Sequence, residues 1–346
     1  METSSDLQMQ KDSAVAVAPT NEVSIKERVK LGLKFSLVFG VFFYLYKKGL
    51  ITANSFEKLF SSPKSVLFCS VLMAVNTVLG AIRWRILLRT QGAELRFVEV
   101  LKLNLIGAFF NIALPGAVSG DFVKAVHVSE KFKDKRAAVF GSMLFDRILG
   151  VSAMVFVGSF SALLSVFIPW GGALPDLLIY TVGGVGFAVI AFYLYLFLSH
   201  RKDPVFQILQ FFTKRHEKLG MIDRLYHGVM GYRAYPKRVL KAIAFSMVIH
   251  MMMIIMAFVI TETISPGGGL PFLPIAVVVP IGMLATAIPV LPAGVGTGHA
   301  AFYALFKMIG SDQGAEVFSL IVLYQVLAGV VGGVIYLKYL AEKKQA

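Results

Sequence analysis

Long apolar runs separated by short polar stretches organise this chain. They lie at about 31–50, 65–88, 98–123, 137–168, 176–198, 239–261, 272–310 and 316–338. Most are close to the ~20 continuous apolar residues that a helix needs to cross a bilayer, and they do not alternate over ~10 residues as barrel strands would. Helices satisfy their own backbone hydrogen bonds in lipid, so the pattern predicts an all-α polytopic integral membrane protein. Six runs read as plain spans. The other two are interrupted: 98–123 contains LPGAVSGD at 114–121, and 272–310 contains Pro274, Pro280, Pro289, Pro292 and LPAGVGTG at 291–298. Each of these two is expected to form two half-helices.

Composition agrees, with 57% hydrophobic and 16% charged residues. Charge placement then sets the topology. The first 22 residues, METSSDLQMQKDSAVAVAPTNE, read as a disordered polar tail, and the run beginning near Leu31 as a retained signal anchor. A single transmembrane domain is expected over 23–340, followed by a short basic tail at 341–346. The 200–241 loop is rich in Lys and Arg, whereas WGGALPD and ETISPGGG contain neither. By the positive-inside rule the basic loop and both termini are cytoplasmic, in a cell membrane, and the other two loops are external. Lys47, Lys48, Lys58 and Lys64 run against this assignment.

The same charges make both flanks of 98–123 cytoplasmic and both flanks of 272–310 external. The two segments would therefore be re-entrant from opposite sides, which allows an inverted pseudo-repeat. Non-helical backbone at membrane depth is tolerated where it is buried in protein or lines a wet cavity. Opposed broken helices can aim their positive N-terminal ends at an anionic ligand. Asn111, Gly116 and Gly120 at the first break, and Gly294 and Gly296 at the second, are the candidate lining residues. The alternative is that these glycines and prolines only kink and pack helices.

Ionisable residues inside apolar runs are functional candidates, because each costs ~2.5 kcal/mol or more unless paired or hydrated. Asp121 ends the first break, and Asp146 and Arg147 lie within AAVFGSMLFDRILGVSAMVF. Adjacent helical residues point about 100° apart, so these last two cannot share one partner. Arg147 is expected to bind a phosphate, with Asp121 holding it when no ligand is present; a purely structural ion pair is the competing reading. His299 follows the second break and could bind a phosphate oxygen or simply pack. Arg83 and Trp84 read as interface anchors, His127 as at most a headgroup contact, and Cys69 as a small buried hydrophobe. No metal cluster, cofactor motif, nucleotide-binding motif or nucleic-acid fold is evident.

RWRILL at 83–88, FFNIALPGAVSGDFVKA at 109–125, AAVFGSMLFDRILG at 137–150 and PVLPAGVGTGHAAFYAL at 289–305 fall in one familiar order. In this the chain resembles the lysylphosphatidylglycerol synthase transmembrane family, which is similar to the flippase domain of the multiple peptide resistance factor. The resemblance covers about 30–340 and implies a lipid-translocating domain. The chain departs from it at Gly298 and His299, where members usually have Arg-Glu, and at Gln325, where Arg is frequent. The headgroup recognised is therefore open. The sequence lacks a soluble aminoacyl-transferring domain, and the expectation is that it does not itself make lysyl lipid.

The functional expectation is a flippase-like translocator of a phospholipid or lipid-linked headgroup. Its partners would be an anionic or aminoacylated phospholipid or a polyprenyl-linked lipid, and no nucleic acid. The alternative is a non-catalytic accessory subunit or scaffold for a separately encoded lipid-modifying enzyme. An intramembrane lipid phosphatase is disfavoured: GTGH at 296–299 only superficially matches such an enzyme's PSGH element, and its companion elements are absent from the sequence.

Overall fold

The computed structural model describes residues 43, 46–47, 53–113, 119–172, 174–198, 220–265, 267, 270–286 and 294–345. All fall in the unit formed by residues 38–346. The polar tail, almost all of the expected first span, residues 114–118 of the first break and residues 291–293 of the second lie outside the described residues. The described residues form α1 (Ala53–Phe60), α2 (Pro63–Thr90), α3 (Phe97–Ala113), α4 (Ser119–Lys131), α5 (Arg136–Phe167) and α6 (Asp176–Leu198). They continue with α7 (Gly220–Met230), α8 (Pro236–Ile264), α9 (Phe272–Ala285), α10 (Thr297–Met308) and α11 (Gly314–Gln345).

Among the described residues, five stretches are long and apolar enough to cross a membrane: Pro63–Thr90, Lys133–Phe167, Asp176–Leu198, Pro236–Ile264 and Gly314–Tyr339. Apolar side chains such as Leu67, Phe160, Phe187 and Leu337 remain exposed on them, as expected of surfaces that face lipid rather than water. The chain is an all-α multi-pass membrane protein. The two interrupted runs each appear as a pair of helices, α3 with α4 and α9 with α10.

Side-chain pairing fixes the relative directions. Thr263 of α8 donates to Ser65 of α2 near one end of both helices, and Arg83 of α2 donates to Ser246 of α8 further along, at 2.9 and 2.8 Å. The two helices are therefore antiparallel. Lys131 of α4 meets Glu99 of α3 at 3.2 Å, and Lys124 donates to Asn104 at 3.2 Å. These contacts fold α3 and α4 into a hairpin whose outer ends lie where α2 ends and α5 begins. That end carries Arg85, Arg89, Lys131 and Arg136, and is hereafter the basic end.

The second hairpin opens at the far end, where Gln313 hydrogen-bonds Ser265 and Ser55 donates to Glu316 at 2.5 Å. The contact pattern is two-fold. The first helix of each hairpin packs on the long helix that follows the other hairpin, α3 on α11 and α9 on α5, while α2 packs on α8. Small residues permit the close crossings. A Cβ on Gly332 of α11 would lie 1.9 Å from the Leu105 carbonyl oxygen of α3, and one on Gly120 would lie 1.9 Å from that of Gly107.

The second half of the expected 200–241 loop is not plain loop. α7 packs on α5, with Gly228 against Gly141, and Tyr232 stacks on Phe145 at 4.1 Å while donating to the Leu87 carbonyl at 3.1 Å. Its buried Val229, Met230 and Tyr232 explain why a segment so rich in charge is nonetheless docked.

Candidate functional site

The first hairpin folds by capping itself. The Gly120 N–H at the start of α4 donates to Asn111 Oδ1 at 2.8 Å, and Ser119 Oγ donates to the Phe110 carbonyl at 3.3 Å. Free backbone donors at a helix start need such acceptors. Asp121 follows in the first turn of α4, where a carboxylate also suits the positive end of the helix dipole. Asn111, expected to line a ligand site, thus places its side-chain oxygen on the helix start.

Asp121 is the centre of a buried charge cluster. Lys124 Nζ lies 2.6 Å from Asp121 Oδ1, and the Arg147 guanidinium of α5 binds Oδ2 through both Nε and Nη2. Lys124 also donates to Asn104 and sits 4.9 Å above the Trp84 ring of α2. Asn104 in turn donates to the Thr77 carbonyl at 3.1 Å. Gly107 leaves room for the lysine stem, since a Cβ there would come within 2.8 Å of Lys124 Cδ.

One residue earlier on α5, Asp146 points the other way. Arg83 of α2 grips it with two bonds of 2.8 and 2.9 Å and donates a third, of 2.8 Å, to Ser246 of α8. The divergence of Asp146 and Arg147 follows from the 100° step between adjacent helical positions. Arg83 is not a surface anchor as the sequence suggested: its side chain is only 13% exposed, and it ties three helices together.

Among the described residues, Arg83, Lys124 and Arg147 gather around Asp121 and Asp146. Arg147 is the accessible member, with 39% of its side chain exposed against 7–13% for the other four. It lies eleven residues beyond Arg136 on α5, or about 16 Å of helix from the basic end.

The second break is built differently. Gly294 and Gly296 have φ of +69° and +89°, values that glycine adopts without steric cost. The Gly296 N–H donates to His299 Nδ1 at 3.2 Å, and His299 Nε2 lies 2.9 Å from Ser319 Oγ of α11. Ser319 Oγ donates onward to the Ala315 carbonyl. With Nδ1 accepting, the proton sits on Nε2 and the imidazole is neutral. His299 is fully buried and locks the start of α10 to α11.

Of the residues expected at a ligand site, Asp121, Asp146, Arg147, Asn111 and Gly120 come together on one hairpin and its neighbours. Gly294, Gly296 and His299 form a separate group on the other hairpin, and Gly116 lies outside the described residues. Lys124, Asn104 and Arg83 were not singled out for this cluster from the sequence. The signal for Lys124 was its i,i+3 spacing from Asp121, which puts both on one face of α4.

Comparison with known proteins decides the family. The Lysylphosphatidylglycerol synthase TM region family matches residues 30–335. The chain belongs to this family. It is thus a member of a membrane family associated with lipid handling. It is also similar to the UPF0104 membrane protein PH1989 of Pyrococcus horikoshii, with 22% identity over 270 residues, which is 73% of this chain and 79% of the relative. No solved structure gives a significant match.

Proposed function

We propose that this protein is a flippase-like translocator that moves a phospholipid or lipid-linked headgroup between leaflets of the cell membrane. The observation that carries the reading is the part-exposed guanidinium of Arg147, held on Asp121 of the first hairpin within an otherwise buried charge cluster. The basic end faces the cytoplasm by the positive-inside rule, and the hairpins are re-entrant from opposite sides. A headgroup enters from one leaflet, its phosphate displaces Asp121 from Arg147, and Lys124 keeps the released carboxylate paired. The acyl chains stay in hydrocarbon, so only the headgroup crosses the apolar barrier.

In this reading the protein does no chemistry on the lipid. The lipid is anionic or aminoacylated, or polyprenyl-linked. The test is leaflet transfer of labelled phospholipids in proteoliposomes across a panel of headgroups. Transfer above protein-free vesicles supports the reading. Its absence across the panel, with or without a proton gradient, overturns it and favours an accessory subunit that serves a separately encoded lipid-modifying enzyme.

A further inference from the structure

A second cationic feature lies outside that cluster. At the basic end, α3, α4 and α11 enclose a cavity of about 510 Å³ whose wall includes Lys102, Lys131, Lys338, Glu99, His127 and Tyr339. Lys131 is paired with Glu99. Lys102 and Lys338 are exposed. The floor between the lysines is apolar, with Leu103, Ile106 and Ile335, unlike the hydrated surroundings of ordinary surface lysines.

The α11 wall continues away from the basic end. Tyr324, Leu327, Val331, Ile335 and Lys338 recur at helical spacing and share one face. The deeper part of this face lines a second, separate apolar cavity of about 360 Å³, walled by Met73 and Thr77 of α2 and by Leu101 and Leu105 of α3. From Lys338 to Tyr324 is fourteen residues, or about 21 Å of helix. One helix face therefore carries a cationic end and an apolar trough in the order in which a phospholipid carries its phosphate and an acyl chain. On α4, Lys124 lies one turn further from the basic end than His127, so the cationic end also leads toward the buried charges.

We propose that this groove docks an anionic phospholipid of the cytoplasmic leaflet, with its phosphate between Lys102 and Lys338 and an acyl chain along the α11 trough. The groove is the loading site only if the translocator reading holds, but its binding is measurable without transport.

The test uses the full chain in neutral detergent, with native mass spectrometry of bound phosphatidylglycerol against phosphatidylcholine of the same acyl chains. Wild type should prefer phosphatidylglycerol, and Lys102→Gln with Lys338→Gln should reduce that preference about tenfold. Lys237→Gln with Lys241→Gln, exposed at the start of α8 and outside the groove, should leave it unchanged. Val331→Trp, which fills the trough, should lower retention of both lipids. No preference in wild type, equal loss in both lysine pairs, or displacement of the lipid by inorganic phosphate would each overturn the groove. Selective binding by a wild type that transfers no lipid in proteoliposomes would uphold the groove and sink the translocator.

Discussion

Replacing Arg83 by Met would strand Asp146. The pair is held by bonds of 2.8 and 2.9 Å, with side-chain exposures of 13% and 12%, so water cannot take over the role of the guanidinium. Removing one partner of a buried ion pair costs about 3–5 kcal/mol, mostly because the remaining charge is left uncompensated. Replacing both partners, Arg83→Met with Asp146→Leu, removes the charges together and should recover most of the loss. Unfolding of the four proteins in mixed detergent, arranged as a double-mutant cycle, should return a coupling of at least about 2 kcal/mol. A double variant as unstable as the sum of the singles, or an Arg83→Met deficit below about 1 kcal/mol, would refute the assignment of this pair as a coupled interior lock.

Other substitutions separate packing, capping and orientation. Gly120→Ala should destabilise by about 1–3 kcal/mol, since its Cβ would meet the Gly107 carbonyl at 1.9 Å, whereas Gly183→Ala on α6, with nothing within 4 Å, should be neutral in the same unfolding assay. His299→Ala removes the acceptor of the Gly296 N–H and the partner of Ser319. It should cost about 1–3 kcal/mol while leaving lipid selectivity unchanged; a shift in headgroup preference would instead put His299 in the pathway. Because Cys69 is buried and stays silent to labelling, single cysteines at Gly172, Gly268 and Arg215 report topology. The first two should react with an impermeant reagent from outside and the third only after the membrane is opened, and the reverse pattern would remove the opposed entry of the two hairpins.

Much of this architecture is legible in the sequence because in lipid the rules are severe. Apolar length sets the spans, and LPGAVSGD and LPAGVGTG mark where two runs divide into helix pairs. The Asp121 and Arg147 pairing is legible for the same reason, since two opposite charges in adjacent apolar segments must find partners. What escapes is whatever tertiary contact alone decides. Arg83 closes a span and looks like any basic anchor, and only its meeting with Asp146, 63 residues away, reveals an interior role. Asn111 and His299 flank breaks, as ligand residues would, yet each places its side chain on the backbone at the start of a half-helix. α7 escapes because its charges suggest an unstructured loop, while its docking rests on Val229, Met230, Tyr232 and the close approach of Gly228 to Gly141.

The most direct test of the central claim is leaflet transfer of an anionic phospholipid in proteoliposomes by wild type, Arg147→Gln and Arg147→Lys at matched reconstitution. The account predicts transfer by wild type, loss of about tenfold or more in Arg147→Gln, and partial rescue by Arg147→Lys, which keeps the charge without the planar fork. Equal transfer by wild type and a folded Arg147→Gln would contradict it, because the one accessible charge of the buried cluster would then play no part in moving the lipid.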